Sequence, residues 1–207
     1  MTYVFKWVYN TNMTRLILDT SSDYLVIVVS IDNTIIASQV LYAGRKMSEL
    51  LLEQLDNVLN AASISINDID EFYAGIGPGS FTGVRIGVAL VLGLSSGLHK
   101  KAYGISSLDI HAVALDVNSV KTAALLKGSV YAVRDYDFLN NVFSEFYLKE
   151  IDNNLNYYSL VNNSKSYFPN ITYAVQSGKL WDFRAECLPI YLRKSEAELN
   201  LDKKGNH

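Results

Sequence analysis

The stretch that most constrains this chain is Gly77-Pro78-Gly79-Ser80-Phe81-Thr82-Gly83-Val84-Arg85-Ile86-Gly87. It follows the apolar run Phe72 to Ile76 and leads into an apolar stretch reaching Leu98, so it reads as a strand, a turn and a helix. Gly77, Gly79 and Gly83 permit backbone angles or close approaches that a side chain would block, and Pro78 fixes φ between the first two. The turn is therefore stiff. Ser80 or Thr82 is placed to cap the helix by accepting a hydrogen bond from its first turn. Within the helix Val84, Val88, Val91, Leu92, Leu94 and Leu98 alternate with Gly83, Gly87, Ala89, Gly93 and Gly97. A helical glycine costs about 1 kcal/mol against alanine, so several in one helix need an offsetting gain. Tight packing inside the core would supply it, and so would close docking on a second chain.

The remaining elements arrange themselves around this unit. Leu16 to Asp19, Tyr24 to Ile31 and Thr34 to Leu41 read as strands of an antiparallel meander, with Asp32-Asn33 as a turn. From Lys46 to Ala62, Met47, Leu50, Leu51, Leu55, Val58, Leu59 and Ala62 recur at helical spacing opposite Glu49, Glu53, Asp56 and Asn57. A helical turn is expected near Asn67-Asp68, a strand at Lys101 to Ile105, and a helix capped by Ser106 or Ser107 that runs to about Leu115. Beyond Asn118, strands are expected at Val120 to Leu126, Ser129 to Tyr136, Val142 to Glu150 and Ile171 to Val175. Asp152 to Ser166 reads as loop or weak helix, and Cys187 to Leu192 leads into a charged tail from Arg193. The expected organisation is an extension or too-early start at 1–12, an N-terminal lobe at 13–118 and a smaller C-terminal lobe and tail at 119–207. The class is α/β.

Lys and Arg number 18 against 21 Asp and Glu, for a formal net charge of −3. A protein that grips nucleic acid alone carries the opposite bias, which neutralises phosphates. The single cysteine, Cys187, forbids an internal disulfide and reads as buried filler. No apolar run approaches the roughly 20 residues of a membrane span.

Few residues assemble into chemistry. The glycine loop lacks the lysine and spacing of a Walker A loop, and Thr82 stands where a dinucleotide fingerprint needs glycine. Gly93-Leu94-Ser95-Ser96-Gly97 matches the serine-hydrolase elbow in letters, but lies late in a helix instead of between strand and helix. His99, His111 and His207 are too far apart in sequence to form a local metal-ligand pair. Asp19, at the end of the first strand, is the best acidic candidate, with a turn-capping role as its alternative. No catalytic set and no metal site are expected. A phosphate contact at Asp19, Thr20, Gly79 and Ser80 is the residual possibility.

Leu16-Ile17-Leu18-Asp19-Thr20-Ser21, the Ser48 to Leu59 helix, the Gly77 to Gly87 motif and Tyr103-Gly104-Ile105-Ser106-Ser107-Leu108 closely resemble the TsaB (YeaZ) family. Pro189-Ile190-Tyr191-Leu192-Arg193 with Glu196-Ala197-Glu198 looks like its C-terminal signature. The resemblance implies an actin-like, sugar-kinase-like (ribonuclease-H-like) fold of two related lobes, the second reduced, in a cytoplasmic protein. It implies a non-catalytic partner of TsaD, the subunit that installs threonylcarbamoyl on the adenosine beside the tRNA anticodon, joined by the ATPase TsaE. Transfer RNA would be reached only through the complex, no membrane would be involved, and the chain would be a homodimer when alone. ATP or ADP with Mg at a subunit interface is left open. By match, the docking helices are Met47 to Ala62 and Thr82 to Leu98, with Met47, Leu51, Leu55, Val58, Gly83, Gly87, Val91 and Leu94 as interface residues. Gly87→Leu or Leu51→Asp is then expected to abolish the complex and leave the monomer folded. Where the family has an Asp-Ala-Arg-Arg-Gly-Glu-Val-Tyr type segment, this chain has Ala124-Leu125-Leu126-Lys127-Gly128-Ser129-Val130-Tyr131. The alternative is a nucleotide-dependent enzyme of the same fold, using Asp19, Thr20 and the glycine loop.

Overall fold

Strands β1 (Thr14–Asp19) and β2 (Tyr24–Ile31) are apolar on both faces. Leu16, Leu18, Leu25, Ile27 and Val29 belong to one core, and Ile17, Val26 and Val28 to another. Strands of this kind sit mid-sheet with cover on each side. In the computed structural model, which describes residues 12–151, 159–160 and 167–192, they do. The first sheet has the order β3-β2-β1-β4-β5, with β3 at Thr34–Tyr42, β4 at Glu71–Gly75 and β5 at Lys101–Ile105. β1, β2 and β3 are antiparallel, whereas β1, β4 and β5 are parallel.

Helices α1 (Met47–Ala62) and α2 (Phe81–Gly97) cover one face of this sheet. α1 ends where Ser63 turns left-handed and its N–H bonds back to the Leu59 and Asn60 carbonyls. Of the two candidate caps of α2, Ser80 serves: its Oγ accepts from the Gly83 N–H at 3.2 Å. Ser106 likewise caps α3 (Ser107–Ala114), accepting from the Leu108 N–H. α3 lies on the opposite face together with α4 (Tyr167–Ser177).

Two expectations change here. Ile171 to Val175 is helical, not a strand. Ile171, Ala174 and Val175 are buried at helical spacing against Ile17, Val26 and Tyr73, and that packing overrides the β-propensity of the letters. Val142 to Glu150 breaks into β8 (Val142–Phe143) and β9 (Tyr147–Glu150), each pairing with β7 (Val130–Asp137). With β6 (Ser119–Lys127) and β10 (Ser159–Leu160) these make the second sheet. Most of the expected 152–166 loop, all but residue 12 of the N-terminal extension, and the tail from residue 193 lie outside the described residues.

The second sheet begins one residue past the expected boundary at 118, but the chain does not stay with it. α4 and the 3-10 turn Lys179–Phe183 return to the first sheet, where Leu180 and Trp181 complete the α3-side core. A strap then crosses the open edge of β5: Gly104 and Ala185 exchange both backbone hydrogen bonds, and the Ile190 N–H donates to Ile76 O at 3.0 Å. Cys187 of this strap is buried in the α1/α2 core, and burial pushes its thiol up to about 11.

Candidate functional site: the glycine loop and its two helices

The β1 end, the glycine loop and the start of α2 converge on the turn at residues 19–21. Asp19 is only 2% exposed, and its Oδ1 accepts from the Ser21 N–H at 2.7 Å. The Thr20 hydroxyl donates to the Gly83 carbonyl at 2.6 Å, and the Ser80 N–H donates to Ser21 O at 2.6 Å. The loop is pressed so closely on this turn that a Cβ at Gly79 would overlap the Ser21 carbonyl oxygen, and one at Gly83 the Thr20 carbonyl oxygen. The structure thus brings Asp19, Thr20, Gly79 and Ser80 together, with the Thr20 hydroxyl and the Ser80 N–H joining turn to loop. Gly83 N–H is taken by Ser80 Oγ and Val84 N–H by Ser80 O, so the helix start directs neither of these donors at a ligand. Among the described residues no group of three or more His, Cys, Asp or Glu could hold a metal ion.

The strap seals the loop on its other side. Arg85 stacks over Phe81 at 3.8 Å and donates its Nε–H to the Tyr191 hydroxyl at 2.9 Å. A void of only about 40 Å³ remains between Gly79, Phe81, Leu126 and Pro189 to Leu192. A wider cleft of about 510 Å³ opens outside the loop, where Ser22, Asp23, Arg45, Ser80 and Thr82 meet the starts of both helices.

The expected docking residues are placed differently from what their letters suggest. Met47, Leu51, Leu55, Val58, Gly83, Gly87 and Val91 are buried in this chain's own core, and Leu94 is half-buried against it. The same spacing that makes the stripe apolar turns it onto β1, β2 and β4. A Cβ at Gly87 would overlap the Thr20 hydroxyl. The outward faces carry Glu49, Leu52, Glu53 and Asp56 on α1, and Arg85, Ala89, Leu92, Gly93, Ser96 and Gly97 on α2. Leu52 is 59% and Leu92 39% exposed. Ser95 of the elbow-like pentapeptide is buried and donates to Leu92 O inside the helix.

Sequence reasoning missed a second polar centre. Asp109 on α3, 2% exposed, accepts at Oδ1 from Arg134 Nη1 and from the Tyr136 hydroxyl of β7, each at 2.6 Å. Burial pushes its carboxyl up to about 6, against the opposing pull of Arg134 and Tyr136. Burial and the Asp109 charge raise the Tyr136 hydroxyl well above its usual range. The Ser106-x-x-Asp109 spacing could have flagged a helix cap, but nothing local announces Arg134.

A mixed five-stranded sheet with a meander, helices on both faces and a second, smaller sheet make an α/β architecture. The solved YeaZ from Pseudomonas aeruginosa shares that fold, with a TM-score of 0.69 at 21% identity over 87% of this chain and 100% of that one. The TsaB proteins, each described as a tRNA threonylcarbamoyladenosine biosynthesis protein, are similar in sequence. The one from Bacillus subtilis is 34% identical over 97 residues (47% of this chain, 42% of that protein), and the one from Escherichia coli K12 33% over 96 (46% and 41%). The chain spans less than half the length of the curated relatives it matches. The model of the family described as TsaD: tRNA N6-adenosine threonylcarbamoyltransferase matches residues 34–167, well over half of the chain, and the chain belongs to that family. A tRNA N6-adenosine threonylcarbamoyltransferase, that of Kosmotoga olearia, is also similar, 40% identical over 72 residues (35% of this chain, 22% of that protein). Among the described residues no helix is long and apolar enough to cross a membrane.

Proposed function

We propose that this chain is a non-catalytic subunit that docks on a TsaD-type enzyme and supports it in installing threonylcarbamoyl on the adenosine adjacent to the tRNA anticodon. It works in the cytoplasm, a TsaE-type ATPase joins the pair, tRNA is met only through the complex, and the same helical face forms a homodimer when the enzyme is absent. The names of its relatives support the pathway. One observation carries the docking: at Gly93 and Gly97 of α2 no described atom beyond the neighbouring backbone of the helix itself lies within 4 Å of where a Cβ would sit. Each glycine costs about 1 kcal/mol in a helix interior, and nothing among the described residues offsets it. A partner helix packed close against Ala89, Gly93 and Gly97, with Leu92 and Leu52 at its margins, does.

The test is the light-scattering mass of the purified chain, alone and mixed with the TsaD-type enzyme of the same organism. Wild type forms a heterodimer at the expense of the homodimer. Gly93→Leu and Leu92→Asp, both outward, keep the melting temperature and lose partner affinity by more than about tenfold, equivalent to about 1.4 kcal/mol. Unchanged affinity in both folded variants sinks the proposal. Leu51→Asp and Gly87→Leu are not usable here, since they strike the chain's own core and the Thr20 contact.

A further inference from the structure

Between α3, the second sheet and the strap lies a cleft of about 390 Å³, within the size range of small-molecule sites. It lies apart from the outward face of α2 and shares only Ile190 with the void at the glycine loop. Ile76, Phe143, Phe146, Phe183, Leu188 and Ile190 supply its apolar lining, and the buried Asp109–Arg134 pair opens onto it. The Arg134 guanidinium is fixed in place. Its Nε donates to Ser144 O at 2.9 Å, its Nη1 donates to Asp109 Oδ1, and the Phe146 ring lies 4.6 Å from it. Among the described residues no hydrogen bond leaves Nη2, although the side chain is only 19% exposed. A guanidinium so enclosed ordinarily finds acceptors for its donors, and here the cleft is what remains for this one.

We propose that this cleft binds a neutral, planar aromatic molecule carrying a carbonyl or ring-nitrogen acceptor, its ring among Phe143, Phe146 and Phe183 and its acceptor on Arg134 Nη2. The class of ligand follows from the charge already in place. Above about pH 6 the Asp109 carboxylate balances Arg134. The other charged residues of the lining are Asp182, Arg184 and Glu186, and Arg184 is held 3.8 Å from Glu71. An anion on Nη2 would set a second negative charge beside Asp109 on one guanidinium, with Asp182 and Glu186 also against it. A cation brings no acceptor and would face Arg134 itself. A neutral acceptor leaves the buried pair balanced and gives the unused donor a partner. The three phenylalanine rings favour a flat aromatic body, which can meet them edge to face or offset. The inference rests on neither the docking nor the pathway proposed above.

The experiment titrates the full chain, at about pH 7.5 where the Asp109–Arg134 pair is charged, with three ligands of one shape: benzamide, benzoate and benzamidinium. Binding is read from the methyl NMR shifts of Ile76 and Ile190. Benzamide is expected to move both signals and to bind at least about tenfold more tightly than either charged analogue. Arg134→Lys keeps a cation beside Asp109 but lacks the second donor edge, and is expected to weaken benzamide by at least about tenfold. Leu188→Trp, on the half-exposed part of the strap, fills the cleft without replacing either member of the pair. It is expected to abolish the shifts at an unchanged melting temperature, and it decides the matter if Arg134→Lys melts early. Benzamide that moves neither methyl signal overturns the inference. So does a charged analogue that binds as tightly as benzamide, or benzamide binding that survives the folded variants.

Discussion

At the residue scale, the glycines of α2 divide by direction. Gly83 and Gly87 point at the 19–21 turn, where a Cβ would overlap Thr20, whereas Gly93 and Gly97 face open space. The letters alone present one small-residue stripe, but at about 100° per residue Gly93 lies roughly 80° round the helix from Gly83. Angle separates what composition merges, and the buried Val84, Val88 and Val91 fix which side is inward. Alanine at the two kinds of site should act in opposite directions. Gly83→Ala, which must displace a backbone carbonyl, is expected to lower unfolding free energy by more than about 2 kcal/mol. In the monomer Gly93→Ala meets nothing beyond its own helix and is expected, at concentrations low enough to dissociate the homodimer, to raise it by about 0.5–1 kcal/mol through helix propensity and a more restricted unfolded chain. Urea unfolding of the two variants checks this, and a loss at Gly93 would mean that its open face is occupied. Asp19 shows the limit of the sequence: its place at a strand end was legible, but the closure of its turn under the glycine loop depends on the Thr20–Gly83 and Ser21–Ser80 contacts, between segments far apart in the chain.

At the scale of elements, the meander, the amphipathic α1 and the strand-loop-helix unit were readable because each has a clear period and local stop signals. α4 was misread because Ile-Thr-Tyr-Ala-Val is strand-like in letters, and only the Ile17, Val26 and Tyr73 surface beneath it selects the helix. The joint between α3 and β7 was invisible for the same reason, since Asp109 and Arg134 meet only in the fold. That joint titrates. Asp109 is pushed from its ordinary 3.8 to about 6, so between these values the folded chain holds a proton that the unfolded chain has released. Its contribution to stability is therefore full below about pH 4 and is lost as pH rises through 6. The expected loss is of order 3 kcal/mol, from the pKa difference at 1.36 kcal/mol per unit. Asp109→Asn should remove this slope. Denaturant unfolding of wild type and variant between pH 4 and 7 reads it, and parallel curves for the two would exclude Asp109 as the source.

At the scale of the whole molecule, the chain is threaded so that the first sheet is not finished by its own sequence neighbourhood. The first sheet is laid down by residue 105, yet the face carrying Ile17, Val26, Val28 and Tyr73 is completed by Ile171, Ala174, Val175, Leu180 and Trp181. Trp181 packs its ring, tilted by 50°, on Tyr73 at 5.1 Å between centroids, lies under the Arg15 guanidinium and donates to Asn33, binding the late segment to β1, β4 and the β2–β3 turn at once. An apolar face of that size left open to water loses about 25 cal/mol per Å² of burial and becomes a surface for self-association. A fragment of residues 13–118, which the sequence divides off as a lobe, is therefore expected not to fold alone. Its far-UV circular dichroism should show helix content without a cooperative melt, and it should bind an apolar dye that the full chain ignores. Trp181→Ala in the full chain separates this from a defect in the cut itself: it removes the largest late contact and is expected to cost about 3–5 kcal/mol while leaving every residue of 13–118 in place. A fragment that melts cooperatively at the temperature of the full chain would show that the α1/α2 core alone carries the first sheet, and that α4 and the strap are added to a lobe already complete.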